Sequence, residues 1–261
     1  MLSILDLNIW NYNKWPARRG LIIQTIREAN PDLVALQEIT YLSSYQEDPR
    51  HQADQLMSGL SGYQMVWQPA MYYHGRPEEA GATRWEGVTI MSRFPIIDRQ
   101  HVRLSRDPQD EGDYHQRVVL GCRVLSPDGP FWLFTTHYSL SPVARERNAV
   151  ETYDFVCATA GQDPFTVTGD FNAHPDRAPI QFLTGAAPLQ GRRGDWVDAW
   201  AALHPVEAGY TSNPWKPWER IDYVFVPRRA MLLSIEIAAD KPDAEGLYPS
   251  DHLGLLARLQ A

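Results

Sequence analysis

The run Thr168-Gly169-Asp170-Phe171-Asn172-Ala173-His174-Pro175 sets a carboxylate and a carboxamide two positions apart, just as the apolar stretch Pro164 to Thr168 ends. In a strand, that spacing turns both side chains to one face. A buried strand that ends in a Pro-containing loop suits chemistry, because the sheet fixes geometry while the loop keeps the groups reachable. Asp, Asn and Gly are also common turn residues, so the run taken alone reads equally as an Asx turn that ends a strand.

Other polar residues separate the two readings. Asn8, Glu38, His137, Asp170, Asn172 and the pair Asp251-His252 each fall at or near the end of an apolar, strand-like segment. One such residue is usually a satisfied turn or cap. A set of them from separate strands leaves buried polar groups in need of partners, and a divalent cation with its waters is the economical partner for Asn and carboxylate oxygens. Oxygen-rich ligands point to Mg²⁺ or Mn²⁺, since a zinc site calls for more His or Cys.

The elements that must position these residues are legible from periodicity. Strands are predicted at Leu2 to Ile9 and Leu33 to Gln37, the latter delivering Glu38 at its end, with a helix from Pro16 to Ala29 between them. A helix at Gln52 to Leu60 and a strand at Tyr63 to Gln68 follow, then a long loop from Pro69 to Trp85 rich in Gly, Pro and charge. Further strands are predicted at Gly87 to Ser92, Val118 to Leu125 and Phe131 to Thr136, the last two joined by the hairpin signal Ser126-Pro127-Asp128-Gly129. A helix from Ser141 to Ala160 precedes the Asp170 strand. Helical stretches at Ala178 to Leu183 and Asp195 to Leu203 come next, then strands at Ile221 to Val226, Leu232 to Ala238 and His252 to Leu259. Many strands, fewer helices and several hairpin connections predict an α/β (α+β) fold of mixed sheets with helices outside.

Composition limits what this framework can do. The 261 residues, 44% hydrophobic and 11% aromatic, suffice for one large domain spanning 1–261 with a sizeable core. A formal charge of −8 disfavours a broad grip on duplex nucleic acid, leaves room for a local basic strip, and fits carboxylates gathered around a cation. No apolar run is long enough to cross a bilayer, so stable membrane insertion is not expected. The N-terminus opens directly into a strand pattern, which reads as cytoplasmic; a secreted chain with its leader removed would read the same. Cys122 and Cys157 read as buried free thiols.

The segments Leu7-Asn8-Ile9-Trp10, Leu36-Gln37-Glu38, Glu86 to Arg93, Thr136-His137, Gly169-Asp170-Phe171-Asn172, Arg220 to Val226 and Ser250-Asp251-His252, taken together, resemble the deoxyribonuclease I-like endonuclease/exonuclease/phosphatase superfamily. They occur in the family's order across nearly the whole chain. The resemblance implies a four-layer αββα sandwich, two mixed sheets face to face with helices outside, and a metal-dependent phosphoesterase site at one edge.

It also implies roles. Glu38 is the principal metal ligand with Asn8 and Asp251 beside it, and Asp170 and Asn172 orient the attacking water and hold the phosphate. His252 contacts a phosphate oxygen or the nucleophile while Asp222 fixes its tautomer; the alternative for Asp222 is a polar residue on an exposed strand face, which its apolar flanks oppose. His137 and Glu86 form a second carboxylate–imidazole pair able to protonate a leaving oxygen. Apart from the resemblance, Arg117 at the opening of a strand could touch a substrate phosphate, and Arg145 and Arg147 could do so from a helix start, although solvated surface arginine is the stronger reading of those two.

The implied reaction is in-line hydrolysis of a phosphate ester by a monomeric enzyme using Mg²⁺ or Mn²⁺. The His137 and Glu86 pair leans toward a diester, so a nuclease-like phosphodiesterase ranks before a sphingomyelinase-like or small-molecule phosphodiesterase or phosphatase, with a catalytically silent binding module as the reading from another class. Trp10, Tyr12, Trp15, Tyr72, Tyr73, Trp215 and Trp218, read as loop residues, could stack on bases, meet a lipid headgroup or pack the rim. The histidines outside these motifs, His115 and His174 among them, read as surface or loop residues, with His174 near enough to rim the site.

Overall fold

In the computed structural model, which describes residues 1–45, 47–74 and 81–260, twelve strands form two six-stranded sheets. The chain opens with β1 (Leu2–Asn8), α1 (Trp15–Ala29) and β2 (Leu33–Leu42), a strand–helix–strand unit whose two strands pair in parallel with Asn8 opposite Gln37. α2 (Gln52–Met57) leads to β3 (Gln64–His74) and β4 (Thr83–Ser92), which pair antiparallel. With β11 (Met231–Ala238) and β12 (Gly254–Gln260), these complete the first sheet in the order β11-β12-β1-β2-β4-β3.

The second sheet is built in the same way. β5 (Ile96–Arg103) and β6 (Val118–Ser126) lead into β7 (Gly129–His137), α3 (Pro142–Ala160) and β8 (Phe165–Asp170), again a strand–helix–strand unit with a parallel pair. α4 (Ala178–Leu183), β9 (Trp196–Asp198), α5 (Ala199–Leu203) and β10 (Asp222–Pro227) follow, giving the order β5-β6-β7-β8-β10-β9.

Strand alternation divides the apolar side chains into layers. Leu2, Ile4, Leu33, Ala35, Val88 and Ile90 of the first sheet face Val118, Leu120, Cys122, Phe131 and Leu133 of the second. The alternate residues Leu5, Leu7, Val34 and Leu36 pack outward against Trp15, Ile22 and Ile26 of α1. On the far side, Val119, Trp132, Phe134 and Val167 pack against Ala149, Val156 and Ala160 of α3 and Ile180 of α4. The order is helix, sheet, sheet, helix, as the resemblance implies. Local signals set the helix ends: Ser141 caps α3 by accepting from the Ala144 amide, Pro142 occupies its first turn, and Asn30 closes α1 in a left-handed conformation.

Several expectations need correction. β2 does not stop at Gln37; it runs through Glu38 to Leu42, with a bulge between Leu36 and Ile39 and Glu38 at φ 58°. The stretch Pro69 to Trp85 is largely strand, because Met71, Tyr72 and Tyr73 pair with Glu86, Trp85 and Arg84; residues 75–80 lie outside the described residues. Pro69 is tolerated there because β3 is an edge strand. β5 escaped prediction because its side chains face solvent almost throughout. The predicted helix from Asp195 divides into β9 and then α5, whose cap is Asp198. Trp15 belongs to α1 and is buried, and Tyr72 and Tyr73 belong to β3. Cys157 is exposed, while Cys122 is buried as expected. No helix among the described residues is long and apolar enough to cross a membrane.

Gly169 fixes the junction of the second sheet. It lies at φ +143° between β7 and β10, where an added Cβ would stand 2.0 Å from the Thr136 carbonyl oxygen. Gly169→Ala is expected to destabilise the fold by at least about 3 kcal/mol, read from denaturant unfolding. A near-neutral result would contradict the close β7–β8 approach that aligns His137 with Asp170.

Candidate active site

The polar strand ends converge on one edge of the sandwich. Asn8 ends β1, His137 ends β7, Asp170 ends β8 and Asp222 begins β10, while Asp251 and His252 lie just before β12. Asn8 bridges the sheets: its Nδ2 donates to Oε1 of Glu38 at 3.1 Å and to Oδ2 of Asp170 at 3.0 Å. Its oxygen accepts from the Trp10 amide at 3.0 Å, so Asn8 meets the two carboxylates through its Nδ2 and holds them together. Asn11 donates to the other oxygen of Glu38 at 2.8 Å. Trp10, Asn11, Glu38 and Asn172 all take left-handed backbone conformations, which are costly for residues other than Gly and tend to gather at functional sites.

Asp170 is the hub. Its Oδ1 accepts from the Asn172 amide at 2.9 Å, and its Oδ2 faces His137 Nε2 at 3.4 Å and His252 Nε2 at 3.9 Å. The other ring nitrogen of His252, Nδ1, lies 2.9 Å from Oδ2 of buried Asp222, whose amide donates to Thr211. Asn172 in turn donates its side-chain amide to the Tyr138 carbonyl, and Arg145 donates to the Asn172 carbonyl. Arg145 is thus part of the scaffold and not a surface residue, while Arg147 pairs with buried Asp113 at 2.7 Å.

One expected pairing is corrected. Glu86 and His137 approach the same small pocket, yet the carboxylate facing His137 is Asp170. Glu86 faces guanidinium groups, with Arg117 at 3.9 Å and Arg84 at 4.0 Å. The reason lies in the register: Glu86 sits inside β4 opposite Thr40, on the first sheet, whereas His137 and Asp170 are partners on the second.

The electrostatics push the groups apart. Burial, and then Asp222, raises the Asp170 carboxyl to about 7. Burial and Glu38 raise Glu86 to about 7, and burial raises Asp251 to about 6, with Glu38 adding to the shift and His252 opposing it. His252 would be lowered by burial, but the carboxylates of Asp222, Asp170 and Asp251 lift it well above the ordinary histidine range. His137 moves the other way, lowered well below that range by burial and by the positive charge of Arg117. His252 therefore keeps its proton at neutral pH and His137 is neutral.

Crowded carboxyls pushed upward are the donor chemistry that a divalent cation relieves. Two places fit one. Glu38 and Asp251 form an acidic pair beside Asn8, and atoms of Asp170, Asp222 and His252 lie within 4.8 Å of one another. In the second group the Asp222–His252 hydrogen bond already occupies Nδ1, and in the first both oxygens of Glu38 already accept from Asn8 and Asn11.

A cleft of about 640 Å³ opens over these residues, lined also by Arg84, Tyr114, His115, Arg117 and Leu140. His115 and Arg84 were not singled out by their sequence surroundings. Two further contributors are buried. Arg18 donates to the carbonyls of Ile9, Trp10, Asn11, Asn13 and Pro249, tying the loop after Asn8 to the loop before Asp251. Asp6, its carboxyl raised by burial, accepts from Gln37 Nε2 at 2.8 Å, and the same amide donates to Thr135 of the other sheet at 2.9 Å. His174 pairs with Glu219 at 3.0 Å beside exposed Trp218, and exposed Trp215 lies edge-on to Trp10.

A two-sheet sandwich with helices outside and an edge of acidic, amide and imidazole groups defines a class of phosphoester hydrolases. Residues 7–252 match the Endonuclease/Exonuclease/phosphatase family, and the chain belongs to it. Nocturnin of Rattus norvegicus is 24% identical, aligned over 93% of this chain and 58% of its own length; the chain thus spans under two thirds of that relative. Uncharacterized protein L388 of Acanthamoeba polyphaga mimivirus is 24% identical over 66% of this chain and 67% of its own. Among solved structures, the human Nocturnin catalytic domain with bound sulfate superposes with a TM-score of 0.73 at 21% identity, covering 99% of this chain and 93% of that one. A mannosyl-6-phosphatase of Bacteroides thetaiotaomicron VPI-5482 gives a TM-score of 0.72 at 19% identity, covering the whole of both chains.

Asp222 is the nearest carboxylate holding the His252 proton, which gives a direct test. In Asp222→Asn, without added metal, His252 should titrate at lower pH than in the wild type, followed by imidazole NMR. An unmoved titration would mean that the 2.9 Å contact does not set the charge of the ring.

Proposed function

We propose that this chain is a Mg²⁺- or Mn²⁺-dependent hydrolase of phosphate esters that uses in-line attack by water. The observation that carries the reading is Asp170, a buried carboxylate within 4 Å of two imidazoles of opposite protonation tendency and tied through Asn8 to Glu38. Glu38 and Asp251 would hold the cation, which when bound stabilises charge on the phosphoryl and leaving oxygens.

The side chains divide the remaining work. Asp170 takes a proton from the attacking water at Oδ2, its rotation fixed by the Asn172 amide on Oδ1. His252 donates from Nε2 to a phosphoryl oxygen, with Asp222 on Nδ1 supporting the positive ring. His137, neutral and facing Asp170, helps to aim that carboxylate. Glu86 orients Arg117, whose guanidinium lines the cleft and meets a phosphate.

The lean toward a diester loses its main support once Glu86 and His137 are unpaired. Arginine on the cleft wall favours a phosphate-rich substrate over an apolar lipid. A mannosyl-6-phosphatase of the same fold makes a small phosphate ester as reasonable a substrate as a polynucleotide.

Turnover of p-nitrophenyl phosphate and bis-p-nitrophenyl phosphate tests the reading. Activity should vanish with EDTA and return with Mg²⁺. Glu38→Gln and His252→Ala should each lower kcat by roughly 10²–10⁴ while circular dichroism still reports a folded chain. Turnover close to wild type in either variant, or none in the wild type on any phosphoester, would sink it; the second outcome would favour a silent module.

A further inference from the structure

Two large apolar side chains of the cleft lining stand open to solvent: Tyr114 is 54% exposed and Leu140 49%. The backbone under them is fixed, because the loops that carry them are tied to each other. Buried Asp113 accepts from Ser139 Oγ at 2.8 Å, from Arg147 at 2.7 Å and from the Asp107 amide at 2.9 Å. Asp110 accepts from Ser141 Oγ and from the Gly112 amide. Tyr114 is thus held three residues before Arg117, and Leu140 three residues after His137, on loops that flank the adjacent strands β6 and β7 at the reacting edge. An apolar side chain kept exposed on so constrained a backbone is a contact prepared for a ligand. His115 adds a second ring 4.1 Å from that of Tyr114, tilted by 45°. Burial, and then Arg117, pushes it down to about 4, so this ring is neutral.

Resting on the phosphoesterase reading above, we propose that Tyr114 and Leu140 hold a planar heteroaromatic ring of the substrate, so that the preferred esters carry a nucleobase near the reacting phosphate. Size and polarity choose this occupant. Apart from Met71, the remaining lining is polar or charged, which confines apolar contact to a patch suited to one ring system and leaves no track for a lipid chain. A sugar would need partners for its hydroxyls at this end, yet Asp110 and Asp113 are already engaged within the loops. A base gains from its faces alone, by stacking on Tyr114 and packing against Leu140. The volume of about 640 Å³ lies in the range of small-ligand pockets.

Saturation-transfer NMR with adenosine, which has no phosphate to hydrolyse, isolates the ring site. Transfer should reach the base protons and should saturate, whereas free ribose should receive none. Tyr114→Ala and Leu140→Ala should each weaken the binding by roughly fivefold or more, while Tyr114→Phe, which keeps the ring, should stay within about twofold of the wild type. Thermal melts establish that each variant is folded. With Mg²⁺, kcat/KM is then compared for adenosine monophosphate against ribose phosphate, and for dithymidine monophosphate against the same sugar–phosphate dimer without bases. The base-bearing member of at least one pair should be preferred by roughly tenfold, and Tyr114→Ala should erase most of that preference. No transfer to adenosine, binding that both alanine variants retain, or equal or reversed rates within every pair that turns over would overturn the proposal. Adenosine binding that depends on Tyr114, with no turnover of these or the p-nitrophenyl esters, would instead overturn the hydrolase reading and leave the base site standing.

Discussion

Like charge crowded into a dry edge is the constraint around which this molecule is organised. Asp170 and Asp222 are almost fully buried, Asp251 and Glu38 lie beside them, and burial raises the carboxyls of Asp170 and Asp251. The fold counters this with fixed donors in place of mobile solvent. The Asn8 amide is shared between Glu38 and Asp170, Asn11 takes the other oxygen of Glu38, and the Asn172 amide takes the other oxygen of Asp170. His252 places a positive ring between Asp222 and Asp170. These donors leave the carboxylates oriented but short of positive charge, the state in which an added cation gains most.

Holding so many donors in place requires loops that do not move, and Arg18 supplies the clamp. An arginine in the core is expensive unless every N–H finds an acceptor. Here the guanidinium reaches carbonyls on both loops that carry the site, those following β1 and preceding β12. It also lies 5.0 Å from the ring centroid of Trp10, so charge and stacking together fix the left-handed turn after Asn8. The same side chain that anchors α1 against the first sheet thereby sets where the acidic residues stand.

Most of the fold was legible because burial on both faces leaves dense apolar segments: β1, β7 and β8 have almost no exposed residue. Edge elements lack that signal, which is why β5 was missed and the outer halves of β3 and β4 resembled a loop. The site was legible for a related reason. Asn8, His137 and Asp170 are polar residues at the ends of apolar strands, and their types alone call for partners. Glu38 was located correctly but its backbone was not, since a bulge inside a strand has no strong mark in a single sequence. Arg18 carried a mark that passes easily for surface charge: it shares the buried face of α1 with Trp15, Ile22 and Ile26, at helical spacing. Arg84 and His115 had none, because nothing near them in the chain indicates the cleft that pairing of β4 with β2 creates.

The two sheets repeat one device. Each contains a parallel pair joined through a helix, β1–α1–β2 in one and β7–α3–β8 in the other, while the remaining strand pairs among the described residues are antiparallel. A parallel pair sends both strand ends to the same edge and lifts its helix onto the outer face. Asn8 therefore arrives beside Gln37 and Glu38, and His137 beside Asp170, with no long loop needed to bring them together. Facing the sheets across the inner core then brings the two sets of ends within a hydrogen bond, Asn8 to Asp170 at 3.0 Å. Gln37 ties the sheets again one layer deeper, through Asp6 and Thr135. A slip of one residue in either parallel pair would turn the carboxylate into the core and an apolar side chain into the cleft, so the hydrophobic alternation that builds the sandwich is also what holds the chemistry at its rim.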